Sequence, residues 1–197
     1  MVLLIDSYIK IVCNITYTKL EYMNLKIDLK IKNKNNKMPN FKRIEKEILD
    51  VEKLNFYEIT RLNECKYRVI FNGPEDSPYE NIRIVMYYYF PEHYPFQAPT
   101  IYFQPHLFHP NVNFQGFLIV DTLTGKGFSP ALSMHAILTT ILSLLYEPYI
   151  CEDQLPVNDK GKEELNTVND LAVNMEALNL WQSDPLHFSS LVRLSAE

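Results

Sequence analysis

Cysteine is scarce in this sequence. Cys13, Cys65 and Cys151 are the only three among 197 residues, and no two of them form a C-x-x-C pair. Thiols so few and so scattered build no disulfide framework, which suits a reducing compartment, and they exclude zinc-finger and thioredoxin-like sites. Glycine is sparse as well, 5 residues against 12 prolines, while 47% of the chain is hydrophobic. That composition excludes collagen, low-complexity polymers and a chain disordered throughout. No uninterrupted apolar run approaches the roughly 20 residues that span a bilayer. The densest stretch, 131–145, is interrupted by Ser133, His135, Thr139, Thr140 and Ser143. Positive charge is not in excess either: 19 basic residues face 24 acidic ones, a net charge of −5, so nucleic acid is not expected as the main partner.

The charge that is present is unevenly spread. Residues 1–40 hold seven lysines against Asp6, Glu21 and Asp28, a balance of +4, which leaves −9 for the remainder. The run from Lys30 to Lys37 alternates lysine, asparagine and isoleucine and reads as a solvated linker. The opening Val2-Leu3-Leu4-Ile5 is followed at once by Asp6, too short an apolar core for the usual targeting signal. Residues 1–37 are therefore expected to be a disordered extension, 38–182 one folded domain, and 183–197 a tail. The domain opens on helix-start chemistry, Pro39 and then Asn40 as N-cap.

From there the periodicities are readable. Phe41, Ile44, Ile48 and Val51 form one apolar stripe of a helix whose other face holds Lys42, Arg43, Lys46 and Glu47. Three β-like runs follow at 57–62, 66–71 and 82–90, with a fourth at 100–103. The turn-rich Asn72-Gly73-Pro74-Glu75-Asp76-Ser77-Pro78 joins the second run to the third and predicts adjacent antiparallel strands. Residues 104–130 lack periodicity, and an ordered loop of that length is usually functional. Helices are expected again at 131–146 and about 162–181. Helix, antiparallel meander, irregular stretch and helices make an α+β domain.

The residues also carry a resemblance. Gly73-Pro74 with Ser77-Pro78-Tyr79-Glu80, then 90–96 with Pro99, then His109-Pro110-Asn111-Val112, Gly116, Asp121 and Ser129-Pro130-Ala131, in that order and spacing, resemble the ubiquitin-conjugating enzyme family. The resemblance runs from about Met38 through the last expected helix. It implies a four-stranded antiparallel sheet packed by an N-terminal helix and later ones. It also implies a catalytic cysteine ten residues after the motif histidine, which carries ubiquitin as a thioester before passing it to a lysine amine. Counting from His109 reaches Ile119, followed by Val120 and Asp121, and Ile119 has no nucleophilic atom. Gly116 and Asp121 stay in register on either side, and no cysteine lies between Cys65 and Cys151. The resemblance further implies that the motif asparagine stabilises an oxyanion, a donor worth on the order of 3 kcal/mol. Asn111 is left here with no thioester to serve and with loop bracing as its remaining role.

Other departures accompany the missing sulfur. The loop 119–129 is one residue longer than the family's, and Phe128 stands in place of tryptophan. Gly125-Lys126-Gly127 does not match a phosphate-binding loop. His106 and His109 lack a third ligand, so no metal or other cofactor is expected. Cys151 follows the second long helix in a segment matching the lip of the family's catalytic groove, which makes it the alternative nucleophile. Glu152 and Asp153 beside it would raise its thiol pKa, so an ordinary free cysteine is the reading preferred.

The surfaces by which the family binds proteins are better kept. The resemblance places Lys42, Arg43 and Lys46 where the family meets its activating enzyme, and Phe96 with Ser129, Pro130 and Ala131 where it meets ligases. The expected function is a non-catalytic ubiquitin-conjugating-enzyme-like binding module in the cytoplasm, with the nucleus as second compartment. It would act as an adaptor or regulator in conjugation of ubiquitin or a ubiquitin-like modifier, or as a trafficking scaffold. The scaffold use follows a weaker resemblance to the fused-toes (AKT-interacting) family, which binds coiled-coil adaptors, carried by Phe108-His109-Pro110 and by Trp181 to Pro185 with Phe188. The alternative is an active, divergent conjugating enzyme using Cys151.

Overall fold

A computed structural model describes residues 39–123, 127–150 and 173–196. The expected extension 1–37, Cys151 and most of the expected helix 162–181 lie outside the described residues. The first helix, α1 (Phe41–Glu52), starts where the sequence places it: the Asn40 side chain accepts the Arg43 N–H at 3.2 Å. Its buried side is Ile44, Glu47, Ile48 and Val51. The helix ends before the turn that leads to strand β1 (Glu58–Arg61), and β2 (Lys66–Asn72), β3 (Arg83–Tyr89) and β4 (Thr100–Phe103) follow.

The four strands pair antiparallel in the order β1-β2-β3-β4, a meander. The register Tyr67↔Tyr88, Val69↔Met86 and Phe71↔Ile84, continued by Tyr88↔Ile101 and Met86↔Phe103, puts one apolar face against α1 and the later helices. Every residue in those pairs is buried. The opposite face is aromatic and polar: Tyr87 stacks on Tyr102 at 4.9 Å, and Lys66 Nζ lies over both rings. The β2–β3 turn depends on Gly73, whose missing Cβ would stand 1.8 Å from the Tyr79 carbonyl oxygen. Here a glycine is required by space, not by φ.

Two expectations need correction. The helix expected at 131–146 begins at Met134, as α2 (Met134–Tyr146), because the Ser133 side chain caps it by accepting the Ala136 N–H. Pro130 therefore lies in the preceding loop and does not start the helix. Residues 185–196, expected to lie in a tail, form a helix. After α3 (Met175–Ser183), Asp184 accepts the His187 N–H and Pro185 begins α4 (Pro185–Ala196). Phe188 and Val192 of α4 are fully buried in the common core, so the folded unit extends past 182.

Glu47 is the other departure from the sequence pattern. Placed by periodicity on the solvent face, it is only 4% exposed. Its carboxylate accepts the Tyr94 hydroxyl at 2.6 Å and the Met134 N–H at 2.8 Å, and it pairs with Arg43 Nε. A buried carboxylate is tolerated when such donors satisfy it. One side chain thus ties α1, the 91–99 loop and the start of α2 together.

Candidate functional site

The long irregular segment folds into a tight loop that returns the chain on itself. Gly116, at φ +88°, donates its N–H to the Asn113 carbonyl at 2.9 Å. The Asn113 side-chain oxygen accepts the Gln115 and Phe117 N–H groups, and Val112 then bridges to Leu118. The reversal sets Ile119 beside Asn111. The Ile119 N–H donates to the Asn111 carbonyl at 2.7 Å, and Asn111 Nδ2 donates back to the Ile119 carbonyl at 3.2 Å. The same Nδ2 donates to the Tyr149 carbonyl at 2.7 Å, tying this strand-like segment to the stretch after α2.

Both hydrogens of the Asn111 amide are thus committed to backbone oxygens. Its Oδ1 is buried and has no hydrogen-bond partner among the described residues. Ile119 is 6% exposed. Its side chain is hydrocarbon and covered. Asp121 follows, half-buried, at the start of a single 3-10 turn (Asp121–Leu123). Gly127 closes the loop against it: a Cβ there would meet the Asp121 carbonyl oxygen at 2.2 Å. Phe128 packs, half-buried, on the core edge.

His109 organises the motif from below. Asn111 N–H donates to its Nδ1 at 2.8 Å, and its Nε2 lies 2.9 Å from the Leu144 carbonyl. A carbonyl only accepts, so Nε2 carries the proton and Nδ1 is the bare acceptor. That is the neutral ring in one tautomer. Complete burial disfavours the charged ring and pushes its pKa down to about 4, against a smaller opposite effect of the Leu144 carbonyl. His106, also mostly buried, is pushed down for the same reason, and its Nε2 faces the Asn113 carbonyl. Pro110 is buried, and its carbonyl accepts the Asn174 N–H at 2.9 Å from the segment leading into α3. Among the described residues no group of three histidine, cysteine or acidic side chains is placed to hold a metal ion. Cys65, the one described cysteine, sits between β1 and β2, where burial and then Glu64 push its thiol pKa up.

The residues expected to bind partners fall on segments that Glu47 holds together. Phe96 is 81% exposed, on a turn closed by its own N–H to the His93 carbonyl at 2.7 Å. Ser129, Pro130 and Ala131 are exposed on the loop before α2, with the Ser129 hydroxyl accepting the Ala131 N–H. Lys42 and Lys46 are exposed on α1. Arg43 differs from both: its guanidinium is engaged with buried Glu47, so it braces the helix as well as charging its face. The sequence pattern missed Glu47 and Tyr94. The available signal was Glu47's place three residues after Ile44, on the buried stripe.

An antiparallel meander flanked by one leading and several trailing helices, with a His-Pro-Asn loop against the fourth strand, is the architecture of a ubiquitin-conjugating domain. The ubiquitin-conjugating enzyme family profile matches residues 40–195, and the chain belongs to that family. Among curated relatives, ubiquitin-conjugating enzyme E2 N of Macaca fascicularis is 38% identical over 86 residues, covering 44% of this chain and 56% of that protein. The matched segment thus spans little more than half the length of that relative. Among the described residues no helix is long and apolar enough to cross a membrane.

Proposed function

We propose that this chain is a non-catalytic member of its family, a binding module that acts in conjugation of ubiquitin or a ubiquitin-like modifier by holding other proteins. The observation that carries this reading is Ile119, ten residues after His109, where the family's cysteine belongs. It offers no nucleophile, it is buried, and the neighbouring amide of Asn111 has no N–H left to direct at an oxyanion. Catalysis of acyl transfer needs both an activated nucleophile and such a donor. The cytoplasm is the compartment that goes with this reading, and a trafficking scaffold is the other use of the same module.

The docking role is assigned to Phe96 with Ser129, Pro130 and Ala131, and to Lys42 and Lys46 beside them. An exposed aromatic next to a proline loop, with both loops fixed through Glu47, is a preorganised anchor. Pull-down with the full chain separates the uses: ubiquitin and ligases on one side, coiled-coil adaptors on the other. Phe96→Ala is expected to weaken capture of a ligase domain by roughly tenfold or more, the size of a central aromatic anchor. Unchanged capture would remove Phe96 from the docking face.

Restoring sulfur is not expected to restore activity. With Ile119→Cys, transfer to lysine should stay on the order of a hundredfold below an active family member assayed beside it, the cost of one missing oxyanion donor. The committed Asn111 amide, the covered position and the packed Phe128 all oppose it. Near-family rates for that single variant would show that the groove was otherwise intact.

A further inference from the structure

On another part of the surface, bounded by the β2–β3 turn and α2, lies a cleft of about 680 Å³. Its apolar lining is Phe56, Leu142 and Tyr146, and its polar rim includes Glu75 and Glu80. Phe56 is braced from behind by Tyr57 at 4.9 Å and Phe71 at 6.2 Å, yet it stays 46% exposed, and Tyr146 stays 49% exposed. Two half-exposed aromatic side chains thus line the cleft, Phe56 on a fixed aromatic backing. Glu80 is held on the rim by accepting the Asp76 N–H at 3.2 Å. Among the described residues the lining contains no lysine or arginine. Leu142 and Tyr146 belong to the last two turns of α2, and that helix has no basic residue in its last turn to offset the negative end of its dipole. The charged side chains among the described lining residues, Glu75 and Glu80, are both acidic.

We propose that this cleft docks an extended segment of a partner polypeptide by a lysine or arginine flanked by apolar side chains. Such a side chain has the shape and polarity of the site. Its aliphatic stem covers Phe56, Leu142 and Tyr146, and its cationic head meets the ring faces and the two carboxylates. The volume falls in the range of clefts that bury a drug-sized ligand. The inference stands apart from the docking face around Phe96 and does not depend on it.

The test is an NMR titration of the 15N-labelled full chain with the peptide acetyl-Ala-Leu-Arg-Lys-Leu-Ala-amide. Two controls accompany it, one with Gln for both basic residues and one with Ser for both leucines. Saturable shifts confined to Asn72, Gly73, Glu75, Asn81 and Tyr146 are expected with the first peptide alone. Glu75→Gln with Glu80→Gln, both exposed positions, should weaken binding about three- to tenfold, and about 0.5 M salt should weaken it comparably. Equal binding by either control, unchanged affinity in the double variant, or no saturable shift at millimolar peptide would overturn the proposal.

Discussion

Replacing Phe188 by alanine is expected to lower the free energy of unfolding by about 3–5 kcal/mol, measured by urea denaturation of the full chain. Phe188 is fully buried although it lies close to the end of the sequence. Its ring packs against Tyr79, Phe108 and Trp181, at centroid distances of 6.3, 5.6 and 5.2 Å. Truncation would remove the transfer free energy of a large aromatic and leave a cavity that three rings cannot close without moving. The effect should reach the site as well. The Phe108 carbonyl accepts the Tyr79 hydroxyl and the Phe108 N–H donates to Ser195 of α4, so the terminal helix clamps the residue just before His109. A loss below about 1 kcal/mol would mean that α4 is an ornament on the domain and not part of its core.

Acidification should cost the protein about 3 kcal/mol through His109 alone. In the folded chain its pKa is about 4, against 6.5 for the ordinary side chain. Between those values the unfolded chain binds a proton that the folded chain refuses, so stability rises with pH across the window. It is fully present above pH 6.5 and is lost as pH falls toward 4. The physical cause is burial first. Hydrogen bonding adds to it, since a protonated Nδ1 would face the Asn111 N–H, donor against donor. The ring carbons of His109 should keep neutral chemical shifts in NMR until pH approaches 4. A ring that titrates near 6.5 in the folded protein would contradict the single-tautomer arrangement.

Much of this architecture was legible from residue patterns because local signals agreed with the global fold. Asn40 as a cap, the alternation in 66–72 and 83–89 and the turn around Gly73 each point to one structure. Periodicity failed where chemistry substituted for hydrophobicity. Glu47 occupies a core position because Tyr94, Met134 and Arg43 satisfy its carboxylate, and two of those donors are distant in sequence. The stretch expected as a tail carries little apolar periodicity, yet Pro185 begins a helix there with Asp184 as its cap. At the site, the in-register count from His109 to Ile119 needed only the sequence. That Asn111 spends both amide hydrogens on Ile119 and Tyr149 was invisible there, because it depends on a contact spanning 38 residues.

Thioester loading tests the central claim most directly. The full chain is incubated with activating enzyme, ATP and ubiquitin, and the products are separated with and without thiol. With isoleucine at position 119 no thiol-cleavable adduct is expected, while an active family member run in parallel loads fully. A thiol-cleavable ubiquitin adduct on this chain, lost when Cys151→Ala is introduced, would contradict the account and establish a displaced nucleophile in its place.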